Sequence, residues 1–211
     1  MRLTHLLAAL ACVASPALAE TTFSAGGTLE LYHDPAGPGS KEEIDASIYG
    51  EAEINGFYLG ASALKSNYRS LDEFSLGAGY RGDMSGIGYD LGLTRYVYPR
   101  DSLSNYTELT LGLSRDFDDR LSGSLDFGYD LSNKAANAYI GASYAATDKI
   151  GLSANFGVYE VAGLSNESEW DLGATYALTD EIAADLRWYD GTDYTDGYVG
   201  LIFSWDTSFA N

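Results

Sequence analysis

The sequence predicts an all-β protein, an antiparallel up-and-down barrel of about twelve strands preceded by a cleaved signal peptide. Three observations predict it. Apolar residues recur at every second position in segment after segment, giving each segment one oily and one wet face. Tight turns and longer loops alternate between those segments. After the first 19 residues, no apolar run is long enough to cross a bilayer as a helix.

The segment 1–19 stands apart. Arg2 supplies a positive start, Leu6 to Val13 is a short apolar run, and Ala17-Leu18-Ala19 is a small-x-small cleavage site, so it reads as a secretory signal. Cys12 falls inside the apolar run, behind a poor lipobox order, and the mature chain 20–211 has no cysteine to cross-link. Removing Arg2, the only charged residue of the segment, takes the formal net charge from −19 to −20. So acidic a surface excludes nucleic acid as a partner. The 17 tyrosines exclude a disordered acidic tail, because such segments are poor in aromatics.

The strand-like segments follow in order. Phe23 to His33 leads into the Pro/Gly-rich Pro35 to Lys41. Glu43 to Ile54 and Phe57 to Ser66 are joined by Asn55-Gly56, the strongest short hairpin signal. Beyond the loop Asn67 to Leu71, Glu73 to Arg81 runs down to the turn Asp83 to Gly86. Ile87 to Pro99 is the clearest alternation, with Ile87, Tyr89, Leu91, Leu93, Arg95 and Val97 on one face, and Pro99 closes it because proline has no donor for a ladder. Loop Arg100 to Asn105 precedes Tyr106 to Phe117, and the turn Asp118 to Arg120 precedes Leu121 to Leu131. Then come Asn137 to Ala146, Ile150 to Tyr159, Glu169 to Leu178, Ile182 to Tyr189 and Gly197 to Trp205, with turns at Thr147 to Lys149 and Thr179 to Glu181. Short turns at one end and longer loops at the other are the habit of outer-membrane barrels.

Alternation places fourteen carboxylates on the wet face: Glu30, Glu43, Asp45, Glu51, Glu53, Glu73, Asp90, Glu108, Asp116, Asp126, Asp130, Glu169, Asp171 and Asp185, opposed only by Arg81 and Arg187. Each unpaired buried charge costs several kcal/mol, and a net stability of about 5–15 kcal/mol cannot absorb fourteen of them. This face must touch water. The oily face then packs inward, as in a soluble acidic periplasmic β-protein, or outward into lipid.

Three features favour lipid. Leucine and alanine fill strand middles, whereas Phe57, Tyr80, Phe117, Tyr144 and Trp205 gather near the turn end and Phe74, Tyr129, Trp170 and Trp188 near the loop end. Two aromatic rims suit the two interfaces of a bilayer, although Phe127 and Phe156 fall mid-strand. Lys65, Arg95 and Arg115, on the oily stripe, lie towards strand ends, where a long side chain reaches the interface. The run Tyr198 to Trp205 resembles the C-terminal signal read by the barrel assembly machinery, with Asp206 to Asn211 expected as a tail beyond it.

The runs YDLGLTRYVYP (Tyr89 to Pro99), NYTELTLGLS (Asn105 to Ser114) and WDLGATYAL (Trp170 to Leu178) resemble segments of the TorF-type porins, a family of bacterial outer-membrane proteins. The resemblance implies an outer-membrane β-barrel with a channel role and brings no catalytic residues or cofactors with it.

The chemistry points the same way. Serine hydrolysis in a barrel needs a histidine-activated serine. The mature chain offers His33 alone, near Ser24 and Ser47 on neighbouring strands but without a Gly-x-Ser-x-Gly elbow. Asp190, Asp193 and Asp196 form an acidic loop whose spacing does not match an EF-hand, so no metal is expected. There remains the lumen. The expected lining comprises Glu30, Glu51, Glu53, Glu73, Arg81, Asp90, Tyr96, Glu108, Asp116, Asp126, Asp130, Tyr139, Asp171, Asp185 and Arg187, with Tyr32, Tyr49, Tyr58 and Tyr189 beside them. Such a lining favours small polar or cationic solutes. The alternative is a barrel without conductance whose loops engage lipopolysaccharide or a partner. Expected surroundings are outer-membrane lipid and lipopolysaccharide.

Overall fold

The computed structural model describes residues 21–33, 42–67, 72–160, 166–192 and 196–210. Residues 1–19, expected as a secretory signal, most of the first and second long loops, and Asp193 lie outside the described residues. Twelve strands follow one another: β1 (Thr21–His33), β2 (Glu43–Ile54), β3 (Phe57–Ser66), β4 (Glu73–Met84), β5 (Ile87–Val97), β6 (Tyr106–Asp116), β7 (Leu121–Asp130), β8 (Ala135–Ala145), β9 (Ile150–Tyr159), β10 (Glu167–Ala177), β11 (Ile182–Gly191) and β12 (Tyr198–Ala210). Every strand pairs antiparallel with its sequence neighbours, and β12 returns to pair with β1, closing the barrel. Closure leaves no unpaired edge, which is the condition for a sheet to sit in hydrocarbon.

The turns at one end are built from local chemistry. Asn55 and Gly56 have φ of 52° and 83°, and Ser85 and Gly86 have 58° and 79°, so both two-residue hairpins take the left-handed conformations that match strand twist. The other three turns share one device. Asp118 accepts backbone N–H bonds from Arg120 and Leu121, Thr147 from Lys149 and Ile150, and Thr179 from Glu181 and Ile182. One side-chain oxygen thus satisfies two donors that the ladder leaves over.

The molecule is apolar outside and polar within. Among the described residues no hydrophobic side chain is buried, while Glu30, Glu43, Asp45, Ser47 and Ser66 are. Leu59, Leu76 and Leu172, in strand middles, are 59%, 58% and 54% exposed. A soluble sandwich would show the reverse. The inward direction of the other face is fixed by contacts between strands that are not neighbours. Tyr49 on β2 bonds Asp206 on β12, Tyr58 on β3 bonds Asp90 on β5, Asn137 on β8 bonds Glu108 on β6, and Arg187 on β11 bonds Ser153 on β9. Neighbouring strands stand about 4.8 Å apart. Reaching over one of them is possible only on the concave side, where side chains converge.

Two expectations are corrected. Asp206 to Ala210 are not a tail: β12 continues through them, pairing Asp206 with Gly26 and Ala210 with Thr22. The alternation of Thr207 and Phe209 with polar neighbours carries on the strand, and Phe209 stacks on Phe23 of β1 at 5.8 Å. The connection between β7 and β8, Leu131 to Lys134, is as short as the turns at the other end. Asp130 makes that possible by accepting bonds from the Ser132 and Asn133 amides, and Lys134 at φ 56° completes the reversal.

Candidate functional site: the polar lumen

The inner wall is organised by its two arginines. Arg81 on β4 extends between strands on either side: Nη2 lies 2.9 Å from Glu51, Nη1 3.3 Å from Glu53 and Nε 3.3 Å from Asp90. Its guanidinium carbon stands 4.1 Å from the Tyr58 ring centroid, and the Tyr58 hydroxyl donates to Asp90 at 2.7 Å. Arg187 on β11 donates to Asp185 at 3.0 Å, to Ser153 at 2.7 Å and to Asp171, while Thr175 supports Asp185 and Asn155 supports Asp171. A planar cation with five donors suits such multiple contacts. Both arginines are therefore already neutralised by adjacent acids and contribute little free positive charge to the lumen.

The remaining expected lining residues fall on the same face. Glu108 accepts from Asn137 at 2.9 Å, Glu30 accepts from Thr28 at 2.8 Å and from Tyr32, and the Tyr139 hydroxyl donates to Glu169 at 2.8 Å. Glu73 and Tyr96 border an inner cavity of about 240 Å³ between β2 and β5, together with Tyr49, Glu51, Tyr58 and Thr94. Asp126, on the same face of β7, lies opposite Gly112 and Tyr139 in its two ladders. Asp116 ends β6 at the turn side and is exposed, and the Asp130 carboxylate is turned to its loop rather than across the lumen. Asp206, missed because it was read beyond the last strand, joins the inner face through Tyr49 at 2.6 Å.

Two tyrosine groups line the end from which the longer loops rise. Tyr189 and Tyr198 stack at 4.7 Å with Tyr32 edge-on to both, and Tyr96 and Tyr106 stack at 4.5 Å with Tyr98 beside them. Tyr32, Tyr189 and Tyr198 belong to β1, β11 and β12 on one side of the ring, and Tyr96 and Tyr106 to β5 and β6 on the other, with Tyr98 just past the end of β5. Tyr98, Tyr106 and Tyr198 sit at strand ends, where alternation alone leaves the facing undecided.

On the outer face, Lys65 reaches up to Asp72 at 2.6 Å, with Arg100 at 3.5 Å. The Lys65 ammonium holds the Asp72 carboxyl below the usual carboxylate range. Arg95 bonds Thr107 at 3.1 Å, and Arg115 lies 6.0 Å from the Phe117 ring. His33 ends β1 on the outer, exposed face, whereas Ser47 is buried on the inner one, so the two stand on opposite sides of the sheet. Among the described residues no group of three or more His, Cys, Asp or Glu side chains is placed to hold a metal ion.

The family model for the Gram-negative porins matches residues 31–194. The chain belongs to the Gram-negative porin family. This porin is an outer-membrane β-barrel channel for small solutes. Its fold is similar to that of a solved KdgM porin, at 11% identity and a TM-score of 0.66 over 84% of this chain and 98% of that one. A KdgM porin in complex with disordered oligogalacturonate gives 13% identity and a TM-score of 0.67 over 86% and 98%. A NanC porin gives 10% and 0.63 over 88% and 98%. Identities this low carry the fold alone. Comparison with curated protein sequences finds no match.

Proposed function

We propose that this porin passes small polar and cationic solutes by passive diffusion and prefers cations. The reading is supported by one feature: alternation puts fourteen carboxylates and only two arginines on the wet face, and although the Asp130 carboxylate turns to its loop, both arginines are held by carboxylates of their own. A passage lined by one sign of charge concentrates the opposite ion. The same charge argues against a polyuronate of the kind named for the KdgM complex, because its carboxylates would meet carboxylates. The resemblance of Tyr89 to Pro99 and Trp170 to Leu178 to TorF-type porins supports placing the chain in that branch. Lipopolysaccharide around the loop end and the barrel assembly machinery during insertion are its proposed partners.

The test is a reversal potential across a planar bilayer under a KCl gradient. Cation preference that falls in Glu108→Gln and Asp126→Asn supports the reading. Anion preference, or no conductance, removes it and favours a barrel with a structural role.

A further inference from the structure

Gly60 and Gly77 face one another in the β3–β4 ladder on the inner side of the barrel, so the wall between β2 and β5 has no side chains at its middle. The recess they leave is the cavity of about 240 Å³ described above, and it opens onto the lumen. Pockets for drug-sized ligands run to roughly 300–1,000 Å³, so this one holds a single small solute and not a polymer.

Its lining mixes polar and apolar groups at close spacing. Ser62 and Ser75 bond one another at 2.6 Å, a contact that uses one hydroxyl proton and leaves the other to be donated. The buried Ser47 is an acceptor: Thr28 gives its proton to Glu30, so the 2.8 Å contact between Thr28 and Ser47 takes the Ser47 proton and leaves its lone pairs. Beside these hydroxyls, Tyr49 and Tyr58 donate theirs away from the recess, to Asp206 and Asp90, and present ring carbon. Leu64, opposite Ser47 and Glu73 in its two ladders, adds an aliphatic edge. Donors, acceptors and carbon interleaved in this way match a molecule whose own surface alternates hydroxyl and C–H groups.

Charge decides which such molecule. No basic side chain borders the recess among the described residues, so an acidic sugar finds no counterion there. Of its two carboxylates, Glu51 is neutralised by Arg81 at 2.9 Å and Glu73 accepts the Tyr98 hydroxyl. Both keep lone pairs for the hydroxyl protons of a neutral ligand, and only Glu73 is without a cation of its own. We propose that this recess is a binding site for one neutral polyol of monosaccharide size, held by Ser47, Ser62, Ser75, Glu51 and Glu73 against the Tyr49 and Tyr58 rings. The proposal rests on the reading of the lumen as the solute path, and it names a class of solute retained on the way.

The test is a saturation-transfer NMR titration of D-glucose against the full chain refolded in a detergent without a sugar headgroup, with folding checked by mobility on unheated gels. Saturable binding is expected, with a Kd on the order of millimolar. A Cβ on Gly60 meets its neighbours at 3.5 Å and beyond, so Gly60→Val folds and fills the recess, and binding is expected to weaken about tenfold or more. Gly151 stands on the inner face of β9, across the ring, with open space around it, and Gly151→Val is expected to stay within about twofold. Ser75→Ala is expected to lose about fivefold. Absence of saturable binding, unchanged affinity in Gly60→Val or Ser75→Ala, or equal loss in Gly151→Val would each overturn the site. So would displacement by glucuronate as effective as by glucose itself, or glucosamine binding about tenfold tighter than glucose, which would make it a cation site. Conductance under a KCl gradient is read separately. A barrel that binds glucose but prefers anions or does not conduct overturns the channel reading and leaves the site standing, whereas a cation-preferring barrel that binds no glucose does the opposite.

Discussion

The Tyr58 hydroxyl reaches over β4 to donate to Asp90 at 2.7 Å, and in doing so lays its ring beneath the Arg81 guanidinium. The phenol thus does two things with one geometry: it takes part of the negative charge of Asp90 and offers its π face to the cation. Three acids, one arginine and one ring form a brace across four strands.

Arg81→Ala removes the centre of that brace. The side chain is 11% exposed, so its partners are poorly screened, yet a water-bearing lumen softens the loss relative to a dry core. Urea unfolding in lipid vesicles is expected to show about 1–3 kcal/mol of lost stability, and Arg81→Lys less. Cation preference, read from the reversal potential, rises in both.

The two hairpin glycines separate backbone strain from steric conflict. Gly56 and Gly86 have nearly the same φ, 83° and 79°, but a Cβ on Gly56 would run into the Arg81 carbonyl, whereas one on Gly86 meets nothing within 4 Å. Gly86→Ala is expected to cost about 1 kcal/mol and Gly56→Ala about 3, read from urea midpoints.

Asp118 gives one turn a pH dependence that its two counterparts lack. Backbone N–H groups of Arg120 and Leu121 hold its carboxyl below the usual range. A depressed folded pKa means that the stabilisation is present above the unfolded value and is lost as pH falls through the folded one. The unfolding midpoint is therefore expected to drop on acidification below about pH 4. In Asp118→Thr, which copies Thr147 and Thr179, that part of the drop disappears while stability at neutral pH is kept. An unchanged acid profile in Asp118→Thr would refute the assignment.

Lipid contact is testable at a single position. Leu111 in the middle of β6 is flanked by Leu91 and Phe127 on the outer face. Leu111→Arg is expected to lower stability in vesicles by about 2–4 kcal/mol, and Leu121→Arg, at the turn end, by about 0–1. Equal costs would mean that no hydrocarbon midplane lies at Leu111.

The strands and their two faces were legible because a period of two is a local property, readable in Ile87 to Val97 without knowledge of any other segment. The order of pairing followed from the turns. What the sequence hid depends on curvature. Arg81 and Arg187 could be placed inside, but which acids they meet is decided by how closely second-neighbour strands approach on the concave side. The joining of Tyr32 with Tyr189 and Tyr198 needs β12 to lie between β1 and β11, a relation 150 or more residues long in the chain. The end of β12 was missed because Asp206 breaks a hydrophobic run, and only its pairing with Gly26, which spares it room, shows that a strand passes there.

The meeting of β1 and β12 has a consequence for how the molecule comes into being. Twelve residues on each side join the first and last strands like a zip fastener, and neither of these two edges has another place to bond. Until the last strand arrives, the first carries a bare row of amides and carbonyls that oil will not solvate. Damage to Tyr198–Ala210 therefore does not trim the cylinder but opens it, turning a sealed wall into a sheet with two adhesive margins.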